Sequence, residues 1–449
     1  MSAHPVDSRF FGHLWGTDEV RALLDDEGRI AAWLDILAVL AEAQGDVGLI
    51  PVEAARVIRE HARIDNVDLD LVAEQTRSSG HSTMGLIRAL RATLPEDARE
   101  WVYYGATVQD LSDTWASLLT QRLTDIVGRD VIAMRDRAAA LAREHRDIPM
   151  AGRTHGQPGL PITFGFKAAG WAAELDRQLQ RLAESRARRE VVQLGGALGT
   201  MQFWGEAAPA LLGRFAERLG LHEPEIAWLT ARDRVAEFVT LLASVAGTIG
   251  RIGNEVFQLQ RPEIGEVREA FTPGTVGSIT MPHKRNPEHS EHLVTLSRVV
   301  RAQAGLALEG MVGEHERDGR AWKTEWLLLP EACLATGASC ALGRQMLDGL
   351  EVDAERMAAN LAGHRGYLMS ESVLRALSDR LGKHTAHDVV YEASMRGIDG
   401  GLDFRTALRS DERLAIIDDD ELDRLLDVRT ALGTAIAFVD LVLAGLSRR

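Results

Sequence analysis

DRVAEFVTLLASVAGTIGRIGNEVFQLQ, residues 233 to 260, carries apolar side chains at alternating four- and three-residue steps. Phe238, Leu242, Val245, Ile249, Ile252, Val256 and Leu259 make a heptad seam. The spacing predicts one α-helix of roughly 40 Å, at about 1.5 Å per residue. Gly247, Gly250 and Gly253 lie off that seam, three residues apart. Each costs up to about 1 kcal/mol against alanine in a helix, so close approach by another helix is the expected return. A helix of this length with two occupied sides exceeds what one small domain covers. It predicts a bundle that is also the core of an oligomer.

The same reading extends outward. Residues 113 to 146 run without proline, and 290 to 312 and 330 to 361 read as two further long helices. No convincing alternating strand is visible, and no repeat of solenoid length, so the fold class is all-α. The chain has 449 residues, 45% hydrophobic and 26% charged, with a net charge of −15. That balance argues against a nucleic-acid partner, which calls for a basic stripe. No apolar run stands out as a membrane span, and MSAHPVDSRFFGHLWG lacks the pattern of a signal peptide. Cys333 and Cys340, on one face of a helical stretch, are too far apart for a local disulfide. A cytoplasmic protein without membrane partners is expected.

Three polar, turn-forming segments interrupt the helices: YYGATVQDLSDT at 103 to 114, AGRTHGQPGLPITFG at 151 to 165, and FTPGTVGSITMPHKRNP at 271 to 287. Pro273, Gly274 and Gly277 mark residues 272 to 280 as a loop, and the segment 272 to 285 is expected to order over a bound ligand. The segments offer Thr107, Gln109, Asp110, Arg153, Thr154, His155, Gln157, Ser278, Thr280, His283, Lys284, Arg285 and Asn286. Those are acid–base groups and anion clamps. His283, His289 and His292 lack carboxylate partners at ligand spacing, so neither a metal nor another cofactor is expected. GGALG lacks nucleotide-loop spacing and reads as a packing turn.

GSITMPHKRNP, residues 277 to 287, resembles the GSSxxMPxKxNP signature of the fumarase/aspartase superfamily. GATVQD and GRTHGQ resemble that superfamily's other two signature segments, in the same order. The resemblance covers nearly the whole chain. It implies three helical domains, 1–112, 113–362 and 363–449, the central one a long-helix bundle. It also implies a homotetramer with a twenty-helix core and active sites shared between subunits. The implied substrate is a small dicarboxylate. Ser278 is implied as the base that removes a proton beside a carboxylate, with Lys284 and Asn286 holding the charge that develops. His155 is implied as the acid for the leaving group, Thr154 and Gln157 as its neighbours on the substrate, and Thr107 as a carboxylate binder. His81, in RSSGHST, and Arg9 complete the implied substrate-binding set.

Within the superfamily the branches differ. EHERDGRAWKTEWLLLPE, 314 to 331, and AWLTARDRVAEF, 227 to 238, resemble the 3-carboxy-cis,cis-muconate cycloisomerase branch. Adenylosuccinate lyases resemble the chain less here: Trp326 stands where their phosphate-gripping arginine is expected, and Trp228 falls near a substrate-binding glutamine. GRTHGQP nevertheless has the elimination form of its segment. The combination implies a fumarate-releasing lyase that cleaves a C–N bond of a small N-substituted succinate, nitrosuccinate for example. The cycloisomerase, adenylosuccinate lyase and a catalytically retired structural protein are the alternatives.

Overall fold

The computed structural model describes residues 3–271, 274 and 277–448. Thr272, Pro273, Thr275 and Val276, part of the loop expected to order over a ligand, lie outside the described residues. The chain is mostly helical. Five long helices dominate: α1 (Val108–Glu144), α2 (Phe164–Glu184), α3 (Asp233–Leu259), α4 (Glu288–Glu309) and α5 (Gly319–Asp348).

The seam that opened the reading is buried along its whole length. Phe238, Leu242, Val245, Ile249, Ile252, Val256 and Leu259 are each at most 1% exposed. This is what burial on one face of a regular helix requires. The glycines beside the seam differ from one another. A β-carbon on Gly253 would meet Leu293 at 3.1 Å, whereas nothing lies within 4 Å of one on Gly247. Helix α3 and helix α5 are long and apolar enough to cross a membrane, but 67% of each apolar window is buried inside the protein. Such burial is that of core helices.

Helix α5 corrects one boundary. The sequence predicts a helix over 330 to 361 with the proline at its edge; the helix begins at Gly319 and carries Pro330 inside it. It ends at Asp348, and a separate helix, Ala354–Gly363, follows. Proline removes one backbone donor, and the burial of Leu328, Leu329, Ala332 and Cys333 around it holds the helix through that gap. Cys333 and Cys340 are free thiols, buried in α5, and burial raises the pKa of both.

The described chain divides into two compact units. One comprises Met1–Asp130, Gln178–Gly250 and Val294–Ala341; the other comprises Val131–Arg177, Arg251–Leu293 and Leu342–Arg449. The first holds the N-terminal helices Asp26–Asp46, Val52–His61, Leu69–Ser79 and Met84–Thr93. The second ends in short helices whose core is Val373, Leu377, Val389, Phe404, Leu408 and Leu422. It also holds two small antiparallel pairs. β1 (Pro149–Thr154) pairs with β2 (Gln157–Thr163), and β3 (Val267–Arg268) pairs with β4 (Glu351–Val352).

Candidate active site

In the first unit the GATVQD segment turns sharply into α1. Gly105 has φ of 82°, and a β-carbon there would come within 2.6 Å of Trp204 Nε1. Only glycine fits that turn. Thr107 is the last residue before the helix, and its backbone N–H donates to Asp110 Oδ2 at 2.9 Å. Asp110 is buried and accepts three more hydrogen bonds, from Gly195 N at 2.8 Å, Gly196 N at 3.0 Å and Gln193 Nε2 at 3.2 Å. Burial pushes its carboxyl up to about 6, and these donors act in the opposite sense. The glycines of GGALG therefore serve as a packing turn that fixes the start of α1.

The Thr107 hydroxyl accepts a hydrogen bond from Arg317 Nη1 at 2.9 Å. Arg317 Nε donates to Gln109 Oε1 at 3.0 Å. Both acceptors are neutral, and no carboxylate pairs with Arg317 among the described residues. A guanidinium held this way keeps its full charge for an incoming anion. Because Thr107 accepts from Arg317, its own hydroxyl hydrogen remains to be donated. Arg317 is absent from the sequence-predicted site, although it lies in the segment EHERDGRAWKTEWLLLPE. The available signal was an arginine in a polar loop, EHERDG, just ahead of a long helix.

The other first-unit residues make no hydrogen bond to this pair among the described residues. His81 is exposed beyond the helix Leu69–Ser79, where Gly80 closes the helix in the left-handed region. Its Nδ1 lies 3.4 Å from Thr83 N, which donates to it. Arg9 is exposed near the N-terminus. Trp228 is buried; its backbone N–H donates to Gln193 Oε1 at 2.8 Å and its Nε1 to Val192 O at 3.0 Å. Trp322 and Trp326 pack edge to face at 4.9 Å. Together with Trp33 and Trp115 they wall a cavity of about 640 Å³ whose lining also includes Arg29, Arg77, Ser82 and Asp113.

The second unit carries GRTHGQ on a β-hairpin, which the sequence reading did not foresee. Thr154 pairs with Gln157 across the strands, leaving His155 and Gly156 as a two-residue turn. Both have positive φ, 53° and 74°. That is the turn whose twist suits an antiparallel pair. A histidine there is unusual, because non-glycine residues avoid this region. Pro158 and Pro161 hide the strand period in the sequence. The placement has a consequence for the ligand groups: Thr154, His155 and Gln157 project at an exposed tip. Arg153, counted in the sequence among the anion clamps, is not free for that work. It makes a paired contact with Glu266, at 2.7 and 2.8 Å, and Glu266 also accepts from Asn360 at 2.8 Å.

The serine segment is folded onto itself in the same unit. Asn286 Nδ2 donates to Gly277 O at 2.7 Å, and a β-carbon on Gly277 would meet Lys284 O at 2.6 Å. Ser278 Oγ accepts from Met281 N at 3.1 Å. An N–H aimed at that oxygen stabilises negative charge on it. Lys284 is exposed and makes no ion pair among the described residues. Glu269 fixes the far end of the segment, accepting from His289 N at 3.1 Å and Ser290 N at 2.9 Å at the start of α4. Asn286, expected on the substrate, here spends its amide N–H on the loop. No hydrogen bond joins the hairpin tip to the serine segment among the described residues. No cluster of histidine, cysteine or carboxylate side chains that could hold a metal occurs among the described residues.

Comparison with known proteins bears on the whole chain. The family described as "Lyase" matches residues 13–302, and "Adenylosuccinate lyase C-terminus" matches residues 366–442. The chain is 39% identical to the N-acetyl-S-(2-succino)cysteine lyase of Dickeya dadantii (strain 3937), over 99% of this chain and 98% of that one. It is 37% identical to the 3-carboxy-cis,cis-muconate cycloisomerase of Pseudomonas aeruginosa, over 99% and 97% of the two chains. The structure of the 3-carboxy-cis,cis-muconate lactonizing enzyme from Pseudomonas putida is similar, with a TM-score of 0.91 at 33% identity, covering 98% and 99% of the two chains.

Proposed function

This chain belongs to the fumarase/aspartase superfamily of lyases, and on that premise we propose that it releases fumarate from a small 2-substituted succinate. The observation that carries the reading is Arg317 held on the Thr107 hydroxyl by neutral acceptors alone. A cation and a hydroxyl donor so placed suit one carboxylate of a dicarboxylate.

In the proposed reaction Ser278 removes a proton from the carbon beside the second carboxylate. Its oxygen already faces the Met281 N–H, which lowers the cost of the alkoxide. Charge then gathers on that carboxylate as a dianion, held by Lys284 and by Asn286 once the latter turns from Gly277. The bond from the neighbouring carbon to the leaving atom breaks, and fumarate forms. His155 supplies a proton to the leaving atom, with Thr154 and Gln157 beside it. His81 and Arg9 are proposed at the leaving-group end. Thr107, His155 and Ser278 are proposed to meet across subunits of a homotetramer in the cytoplasm, with domains at 1–112, 113–362 and 363–449. Exposure of the hairpin tip and the open space beside Gly247 support that reading.

The leaving group is proposed to be a small group joined through sulfur or nitrogen. The relative named for a succinocysteine substrate supports sulfur, and nitrosuccinate is the nitrogen counterpart. The cycloisomerase reading is favoured by the relatives of that name. One panel separates them: fumarate formation from N-acetyl-S-(2-succino)cysteine, nitrosuccinate and adenylosuccinate, against loss of 3-carboxy-cis,cis-muconate. Turnover of the muconate alone, with no fumarate from any succinate, overturns the proposal.

A further inference from the structure

Gln109 is fully buried and joins Arg317 to a chain of charges in the first unit. Its Nε2 donates to Asp113 Oδ2 at 3.0 Å and to Leu229 O. Asp113 in turn holds Arg232 through two contacts, 2.8 Å to Nη1 and 3.1 Å to Nη2. Arg232 Nε donates to Glu325 Oε1 at 2.8 Å, and its Nη2 to Glu325 Oε2. Asp113, Arg232 and Glu325 are 1%, 2% and 8% exposed. Buried charges of this kind are seldom a net gain in stability, so a role in specifying geometry deserves a test.

We propose that Gln109 is a positioning residue for Arg317, and that Asp113, Arg232 and Glu325 set the direction in which its amide points. This rests on the reading of Thr107 and Arg317 as a carboxylate clamp. The amide has two ends of opposite sense. Asp113 and the Leu229 carbonyl are both acceptors, so Nε2 must face them. Oε1 must then face Arg317. A flipped amide would set oxygen against a carboxylate and N–H against a guanidinium. Asp113 cannot swing away, because Arg232 grips both of its oxygens, and Glu325 grips Arg232 from the other side. A buried glutamine also does what a glutamate could not. It aims the guanidinium through a neutral oxygen and leaves the positive charge available to the substrate.

The test uses the full-length protein with Gln109→Glu, Gln109→Met and Arg317→Lys. Fumarate binding is measured by calorimetry, alongside kcat, KM and unfolding temperature with whichever succinate the panel identifies. Gln109→Glu places a counter-charge on Arg317. Fumarate affinity should fall by about tenfold or more and KM rise in parallel, with kcat within about threefold, the pattern of lost uniform binding. Arg317→Lys keeps the charge, cannot make both contacts, and should raise KM as well. An unchanged fumarate affinity in folded Gln109→Glu overturns the proposal, as does a fall in kcat at constant KM. If Gln109→Glu does not fold, Gln109→Met decides by the same measurements, since it removes the aiming oxygen without adding charge. Weakened fumarate binding in the variants, with no succinate turned over by the wild type, upholds the positioning role and removes the lyase reading. A wild-type chain that binds no dicarboxylate overturns both.

Discussion

Arg317 and Thr107 are 210 residues apart in the chain, and their side chains meet at 2.9 Å. The arginine donates and the hydroxyl accepts. The bond therefore does two things: it holds the guanidinium beside the first turn of α1, and it turns the hydroxyl hydrogen outward. Two donors then converge where a carboxylate could sit. The carboxylate Asp110 lies three residues further on, but its oxygens are occupied by backbone and amide N–H groups. It shapes the turn and makes no ion pair with Arg317 among the described residues.

Ser278→Ala should lower kcat by about 10²–10⁴-fold, the usual contribution of a positioned base. The unfolding temperature should not move, because among the described residues Ser278 Oγ accepts only from Met281 N and the loop is not in the core. Steady-state kinetics and calorimetry on one preparation check this. Near-wild-type kcat removes Ser278 from the base role.

His155→Asn tests the proton donor without disturbing the turn, since asparagine tolerates positive φ better than most residues. The loss should be smallest for nitrite, which leaves as a stable anion, larger for a thiolate and largest for an amine. Fumarate release from a series of substituted succinates measures it. An equal loss for every leaving group would mean that His155 orients the substrate.

Gly247→Leu should break the assembly. Nothing in the chain itself lies within 4 Å of a β-carbon at this position, so a monomer accommodates the new side chain. A second helix packed there in the proposed tetramer would not, and overpacking costs about 1–3 kcal/mol per site. Light scattering should show smaller species, and activity should fall with them. An intact, active tetramer shows that this face of α3 is not an interface.

Asp110→Asn should destabilise the fold and change its pH dependence. Its amide nitrogen would confront one pair of the four donors that now converge there, at about 1–3 kcal/mol for the groups left unsatisfied. The sign of the pH effect follows from the carboxyl's being raised to about 6. A raised acid favours the folded state fully below its ordinary range near 4 and loses that contribution as pH rises through about 6. The change is on the order of 3 kcal/mol, at 1.36 kcal/mol per pH unit. The stability advantage of the wild type over Asp110→Asn should therefore narrow from pH 4 to pH 7. Urea unfolding across that range decides, and parallel curves would contradict the shift.

Some of this protein was legible in its residues alone. The seam of α3 could be read because a helix buried on one face must repeat its apolar residues at the helix period, and that period is local. The serine segment could be read because a hydroxyl, a lysine and an asparagine lie within nine residues, between glycine and proline. Other features needed the folded chain. The hairpin under His155 leaves little trace in sequence, because Pro158 and Pro161 break the alternation and a two-residue turn needs only His-Gly. Arg153 and Arg317 are both arginines in polar stretches of sequence, and nothing local tells them apart. Glu266, 113 residues away from Arg153, cancels the charge of one. Gln109, 208 residues away from Arg317, leaves the charge of the other intact. Helical periods are set by neighbours along the chain. The availability of a charge is set by whatever the fold brings to within about 3 Å of it, and for these two arginines only the tertiary structure decided that.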